Sequence, residues 1–395
     1  PFQTLGRARD ASRTIHKTTP ATSRHAFTVW LLGGTYHLAN TFELTRDDAG
    51  FPGAPVTYAT YGRESVRLSG GMSIPSSSFR PVSDASTLKR LPPESRQHIL
   101  QADLRALGIR DFGKHRQFGH GLPVVPAPME LFWNDSVMQL ARYPNTGAID
   151  IGLIIDPGSM PRDGDYSNRG GRFRYTDSRH AHWAGNGDVW LQGYFNHGFA
   201  DDKIRIASID TVRHEVTLSS PHMYSLASGQ NFNQYVALNV LEELDQPGEW
   251  YVDTASGMLF LWPPGDIAAA RVTVSILEQP LIALDNTSYC TLRDLIIENG
   301  RGLGISVEGG AHNRIVNCVV RNVGTVGIMM GQGARQTFPH ITADDYEGVP
   351  ASREVGSFHS HMYLNSVWDR NAGEQHVIEV DDVSVAGRRR RIHPS

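Results

Sequence analysis

The sequence predicts an all-β fold: a right-handed parallel β-helix in coils of 23 residues, interrupted by an inserted antiparallel barrel or sandwich. Three observations predict it. After residue 270 apolar residues recur at that interval: Val272, Leu295 and Cys318; Val274, Ile297 and Val320; Ile282, Ile305 and Ile328; Leu284, Val307 and Met330. Turn residues recur with them, Gly304 on Gly327, Gly310 on Gly333 and Asn299 on Asn322. Between about residues 85 and 268 this rhythm gives way to many short strand-like runs with frequent Gly, Pro and Asp turns.

The repeat has a physical reason. One coil cannot bury its inward residues alone, whereas stacked coils set like residues above each other and share a core. Each coil reads as two short alternating strands divided by Gly/Asn turns. Asn299 and Asn322 suggest a stacked amide ladder, with independent turn-forming asparagines as the alternative.

In chain order, residues 1–84 read as an N-terminal cap and the first coils. Leu5, Ala8, Ala11 and Ile15 have helical spacing, suited to a short helix covering the open end of a solenoid. Strand-like runs follow at 27–32, 36–44, 56–61 and 66–68. Residues 85–268 read as one inserted β-rich module, which carries Trp133, Trp183, Trp190, Trp250 and Trp262. Residues 269–333 return to regular coils, and 334–376 form a long loop insertion. Residues 377–395 read as an incomplete coil with a basic tail, Arg388 to Arg391. An offset of 63 sets Val380 on Asn317 and Asp381 on Cys318, a poor fit. An uncapped solenoid end exposes strand edges, so the chain is expected to be a truncated or frame-altered form of a longer protein.

Composition narrows the function. The 395 residues are 40% hydrophobic and 20% charged, with a formal net charge of −4. That balance suits a sizeable core and argues against nucleic acid as the main partner. No apolar run is long enough to span a membrane. Two cysteines, Cys290 and Cys318, make no disulfide framework and read as buried small hydrophobes. The chain opens on Pro1 with no signal peptide, which leaves export undecided. No phosphate-cradling loop, nucleophile elbow or zinc-type Cys spacing is present.

The segments Pro1-Phe2 with Arg7 to Ala11, then Leu31 to Tyr36, are similar to the opening of bacterial secreted β-helix proteins of the pectin-lyase-like superfamily. Glu242 to Tyr251 and Gly257 to Pro264 resemble the stretch before their solenoid resumes. The resemblance covers about residues 1–335. It implies a carbohydrate-active, extracellular or periplasmic protein, close to β-helix glycoside hydrolases acting on fucose-, galactose- or xylose-containing glycans. Such relatives usually carry their catalytic acids on later coils, so the resemblance assigns no catalytic residue here.

Glycoside hydrolysis needs two carboxylates, ~5–5.5 Å apart for retention or ~6.5–9.5 Å for inversion. Stacked coils are ~4.8 Å apart, so neighbouring coils can supply them. The loop 334–376 offers Asp369 and Glu374 as catalytic acids, with His359, His361, Trp368 and Arg370 as substrate contacts. The alternative is a polar surface loop with solvated side chains. Asp381-Asp382 is a second catalytic candidate, or a solvated turn. Asp201-Asp202 and Glu242-Glu243 read as surface or turn residues, and Trp183, Trp190 and Tyr194 as core.

The expected function is a glycoside hydrolase acting on a plant, algal or host glycan through an Asp/Glu pair. A polysaccharide lyase and a non-catalytic glycan-binding solenoid are the alternatives. The partner expected is an oligo- or polysaccharide, bound by a monomer without metal or cofactor.

Overall fold

The computed structural model describes residues 2–20, 25–120, 122, 125–227, 233–330, 378–381 and 384–386. Three parallel sheets build the solenoid. Sheet 1 stacks Phe27–Leu31, Val56–Thr60, Cys290–Arg293, Asn313–Val316 and Ile378–Asp381. Sheet 2 stacks Gly34–His37, Val66–Ser69, Ile296–Gly300, Val319–Val323 and Ser384–Ala386. Sheet 3 stacks Phe42–Leu44, Ile282–Asp285, Ile305–Glu308 and Ile328–Met330. Each coil thus has three strands, one more than the sequence pattern suggests, because the corner between sheets 1 and 2 is too short to read. It is made by a single left-handed residue, Asp294 or Asn317, at φ 61° and 50°.

The inward residues form continuous columns. Phe42, Ile282, Ile305 and Ile328 share one register, and Leu44, Leu284, Val307 and Met330 the next. Tyr58, Leu292 and Ile315 line sheet 1, and Leu68, Ile297 and Val320 sheet 2. They pack into one core with the buried Cys290 and Cys318. Each such side chain contributes ~1.5–3 kcal/mol by leaving water. At the end of sheet 2, Asn322 Nδ2 donates to Asn299 Oδ1 (3.3 Å), and Asn299 Nδ2 donates to Ser69 Oγ (3.4 Å). The amide ladder exists, and both asparagines are left-handed.

Two registers differ from the sequence reading. Val272 and Val274 do not stack on Leu295 and Ile297. Their strand, Val272–Ser275, runs antiparallel between Gly71–Ile74 and Leu131–Trp133 and buries into a separate cluster. An alternating apolar strand carries the same pattern wherever it pairs, so spacing alone could not separate the two. In the last coil Asn313 faces Ile378 and Val316 faces Asp381, not the offset that places Cys318 there.

Helix Leu5–Thr18 covers the first coil. Thr4 caps it through its hydroxyl, which accepts from the Arg7 N–H (3.3 Å). Leu5, Ala8 and Ser12 form its buried stripe, whereas Ile15, expected inside, is exposed. Arg13 holds both carboxylate oxygens of Asp48 at 2.7 and 2.6 Å, which fastens the helix to the coil.

The chain leaves the solenoid after Ser69 of sheet 2 and rejoins it at Ile282 of sheet 3. This excursion has several cores. Phe173, Trp183, Leu191, Val216 and Tyr235 centre a nine-stranded sheet, while Leu131, Trp250, Leu259 and Val274 centre a second cluster beside the coils. An ionic lattice clamps it down. Arg67 and Arg321 each pair with Glu298 (2.8 Å) and with Asp135 (2.9 Å), and Arg271 also holds Asp135. Among the described residues no helix is long and apolar enough to cross a membrane.

Candidate active site

Sheet 3 is the part of the solenoid bracketed by both interruptions. The excursion returns to it at Ile282, and residues 331–377 connect its last strand, Ile328–Met330, to sheet 1. Inward positions alternate with outward ones. Ile282 and Leu284 point into the core, so Ala283 and Asp285 point out; Ser306 and Glu308 do the same one coil later. Asp285 and Glu308 are register partners on adjacent parallel strands. Their Cα atoms are therefore about one strand spacing apart, ~4.8 Å.

Two carboxylates on facing positions repel and ordinarily destabilise a sheet. The pair is held in place by the turn that follows. Asn286 and Gly309 are left-handed, with φ of 52° and 63°, and end the two strands at the same level. A Cβ on Gly310 would lie 1.7 Å from the Thr287 carbonyl oxygen, so only glycine lets this corner stack. Asn286 Nδ2 donates to Asp285 Oδ1 (2.8 Å), which orients that carboxylate. Glu308 is buried and Asp285 half-buried. The outer-facing Ala283 and Ser306 are buried as well, so this face is shielded from bulk water. On the next corner Tyr289 and His312 stack with ring centres 4.6 Å apart.

The expected site residues fall elsewhere. His359, His361, Trp368, Asp369, Arg370, Glu374 and Asp382 lie outside the described residues. Asp381 ends the sheet 1 strand Ile378–Asp381, in register with Val316 and on a different sheet from the Asp285–Glu308 pair. Sequence reasoning missed that pair, although the 23-residue offset that sets Leu284 on Val307 also sets Asp285 on Glu308. Attention to apolar columns passed over an acidic one.

Two further readings need correction. Asp202 and Glu243, expected on the surface, are buried. Asp202 accepts from Gln117 Nε2 (3.0 Å), and burial drives its carboxyl well above the usual range. Glu243 accepts from Trp183 Nε1 (2.7 Å) and pairs with Arg179; burial raises it too, against those bonds. Their neighbours in sequence, Asp201 and Glu242, are only part-buried, which a doublet of acids in a strand or turn cannot reveal. Trp183, Trp190 and Tyr194 are core residues. Among the described residues no cluster of three or more His, Cys, Asp or Glu is placed to hold a metal ion.

A family model described as "Right handed beta helix region" matches residues 261–372. The fold is a right-handed β-helix. Of the solved structures, one described as "Glycoside hydrolase" has a TM-score of 0.59 at 14% identity, over 90% of this chain and 66% of its own. Another, described as "The complex structure of XylC with xylose", has a TM-score of 0.36 at 11% identity, over 98% of this chain and 48% of its own. The chain thus spans less than two thirds of either structure's length. No curated protein matches. The first structure shares the architecture, so the solenoid is glycoside-hydrolase-like in fold.

Proposed function

We propose that this chain is a carbohydrate-active β-helix protein, a glycoside hydrolase of the retaining type that works through Asp285 and Glu308. The observation that carries the reading is the acid pair on adjacent coils, outward on the sheet bracketed by both interruptions. Strand spacing of ~4.8 Å suits the ~5–5.5 Å carboxyl separation of retaining enzymes better than the ~6.5–9.5 Å of inverting ones. Asp285, short and oriented by Asn286, takes the role of nucleophile on the anomeric carbon. Glu308, the more buried, takes the role of the general acid that protonates the departing oxygen and then deprotonates the incoming water. The likeness in fold to a glycoside hydrolase supports the class and leaves the sugar open. Polymeric glycans are met outside the cytoplasm, which favours the extracellular or periplasmic reading.

The test begins with a polysaccharide and aryl-glycoside panel, scored for reducing ends and for unsaturated products that would signal a lyase. On a confirmed substrate, Asp285→Asn and Glu308→Gln should each lower turnover by at least ~10²-fold. With an aryl glycoside whose leaving group needs no protonation, Glu308→Gln should keep the first step while Asp285→Asn loses it. If neither substitution lowers turnover by ~10²-fold, the pair is not catalytic. Turnover that then fails in Asp369→Asn or Glu374→Gln would move the site to the 334–376 segment.

A further inference from the structure

Of the 37 Lys and Arg residues only four are lysines, Lys17, Lys89, Lys114 and Lys203. The first three are exposed, whereas Lys203 is half-buried. It lines a cavity of about 230 Å³ where the excursion meets the solenoid, with Gly324 of the coils on the other side. That volume is below the ~300–1,000 Å³ of pockets for drug-sized ligands, so it suits a guest of a few carbon atoms. Val137, Leu140, Val236 and Leu238 give the cavity an aliphatic wall.

Its chemistry centres on the amine. Lys203 Nζ donates to His115 Nδ1 (2.7 Å) and sits 5.2 Å from the centre of the Trp190 ring. Asp188 and Glu130 favour the ammonium through space, but the group bonded to it is an imidazole. That bond requires an unprotonated Nδ1, and burial together with the Lys203 charge holds His115 well below its ordinary value of 6.5. Nδ1 is therefore a base already in contact with the amine. Trp250, also in the lining, is 3% exposed, and its Nε1–H has no hydrogen-bond partner among the described residues. A buried donor left unpaired invites an acceptor such as a carbonyl oxygen.

We infer that Lys203 is a covalent modification site, whose side-chain amine condenses with a small aliphatic aldehyde held in this cavity. The nitrogen bonds to the carbonyl carbon as the C=O double bond opens. His115 Nδ1 takes the first N–H proton along the existing hydrogen bond and passes it to the oxygen. The second N–H proton follows, the oxygen leaves as water, and a C=N bond remains. Nothing is oxidised or reduced. The inference needs neither the Asp285–Glu308 pair nor a glycan, so it stands or falls separately from them.

The amine gives the site a pH signature. Desolvation lowers the Lys203 pKa to about 8, against the pull of Asp188 and Glu130. His115 also faces it, and Arg116, Arg142 and Asp201 share the lining. Only the neutral amine attacks, so its rate should fall about tenfold for each pH unit below 8 and level off above. A lysine at the ordinary value of ~10.4 would still gain about tenfold per unit at pH 9.

The test treats the full chain with propanal and cyanoborohydride, which reduces the imine to a stable secondary amine. Peptide mass spectrometry then follows each of the four lysines. At pH 8 we expect Lys203 to be alkylated at least tenfold faster than Lys17, Lys89 or Lys114. A dextran-linked aldehyde, too large to enter the cavity, should lose that preference. His115→Gln keeps an acceptor but removes the base, and should slow Lys203 at least tenfold while the other three keep their rates. The wild-type rates decide the question even where the variant misfolds. Lys203 labelled no faster than the exposed lysines, an equal preference with the dextran aldehyde, or a rate still climbing tenfold from pH 8.5 to 9.5 overturns the inference. So does an unchanged Lys203 rate in folded His115→Gln.

Discussion

Inside the solenoid the core is columns of Ile, Leu and Val, and the inward groups that could ionise are kept neutral. Burial pushes the Cys290 and Cys318 thiols up to about 12 and 11, and the Tyr58 hydroxyl higher still. The excursion instead buries acids and imidazoles, which burial likewise pushes towards their neutral forms. Asp202, Glu243, Glu249, His180 and His222 are all buried there, each with hydrogen-bond partners. Repetition explains the contrast. Coils stacked ~4.8 Å apart would place a buried charge beside its own equivalent, where repulsion in a low dielectric is strong. An aperiodic fold gives each buried ionisable group its own surroundings, as Arg179 and Trp183 give Glu243. The one acidic column among the described residues of the solenoid, Asp285 with Glu308, faces outward, and that exception marks it as a functional candidate.

The strongest way to break this comparison is to truncate a column. Ile305→Ala removes a fully buried side chain held between Ile282 and Ile328, and should cost ~2–5 kcal/mol. Chemical denaturation followed by far-ultraviolet circular dichroism would measure it. A loss below ~0.5 kcal/mol would mean the columns do not carry the solenoid.

Periodicity made the solenoid legible because each coil repeats the same physical problem, and three of the four sequence columns superpose at least in part. It failed where pattern does not encode partner. The alternation of Val272 and Val274 fits both a coil strand and the antiparallel strand they form. The excursion's cores join residues far apart in sequence, such as Trp183 with Glu243, and so do its contacts with the coils, such as Asp111 with Arg301; no local spacing announces such pairs. The site was legible in one respect and overlooked in another. Adjacent coils were expected to bring two carboxylates together, yet long loops drew attention away from an acid pair within the regular strands themselves.

The asparagine ladder sharpens the comparison at smaller amplitude. Asn299 serves the turn twice, by accepting a left-handed φ of 64° and by bonding Asn322 and Ser69. Asn299→Gly keeps the first role and loses the second, whereas Asn299→Ala loses both. The glycine variant should cost ~0.5–1.5 kcal/mol for the lost bonds, and the alanine variant ~1–2 kcal/mol more for the left-handed backbone. A glycine variant as stable as wild type would show that the two asparagines are independent turn formers.

The last expectation separates the two regions by pH. Burial raises Glu249 to about 8 from its ordinary 4.5, opposed by the Asp245 N–H and Gln246 Nε2 that donate to it. A raised carboxyl stabilises the fold fully below pH 4.5, and that contribution is lost as pH climbs through 8. His222, lowered to about 4 by burial, acts in the opposite sense: its contribution is complete above 6.5 and lost as pH falls towards 4. Both groups lie in the excursion, as do five of the seven tryptophans, Trp133, Trp183, Trp190, Trp250 and Trp262, with Trp30 in the coils and Trp368 outside the described residues. Thermal melts followed by tryptophan fluorescence therefore report mainly on the excursion. Between pH 5 and 8.5 Glu249→Gln should flatten the alkaline decline by at least about 2 °C, the shift expected for ~1 kcal/mol in a unit of this size. His222→Gln should flatten the acid decline instead and leave the alkaline one in place. If both variants keep the wild-type pH profile, the buried ionisable groups of the excursion are not what sets its pH range, and the contrast with the solenoid fails.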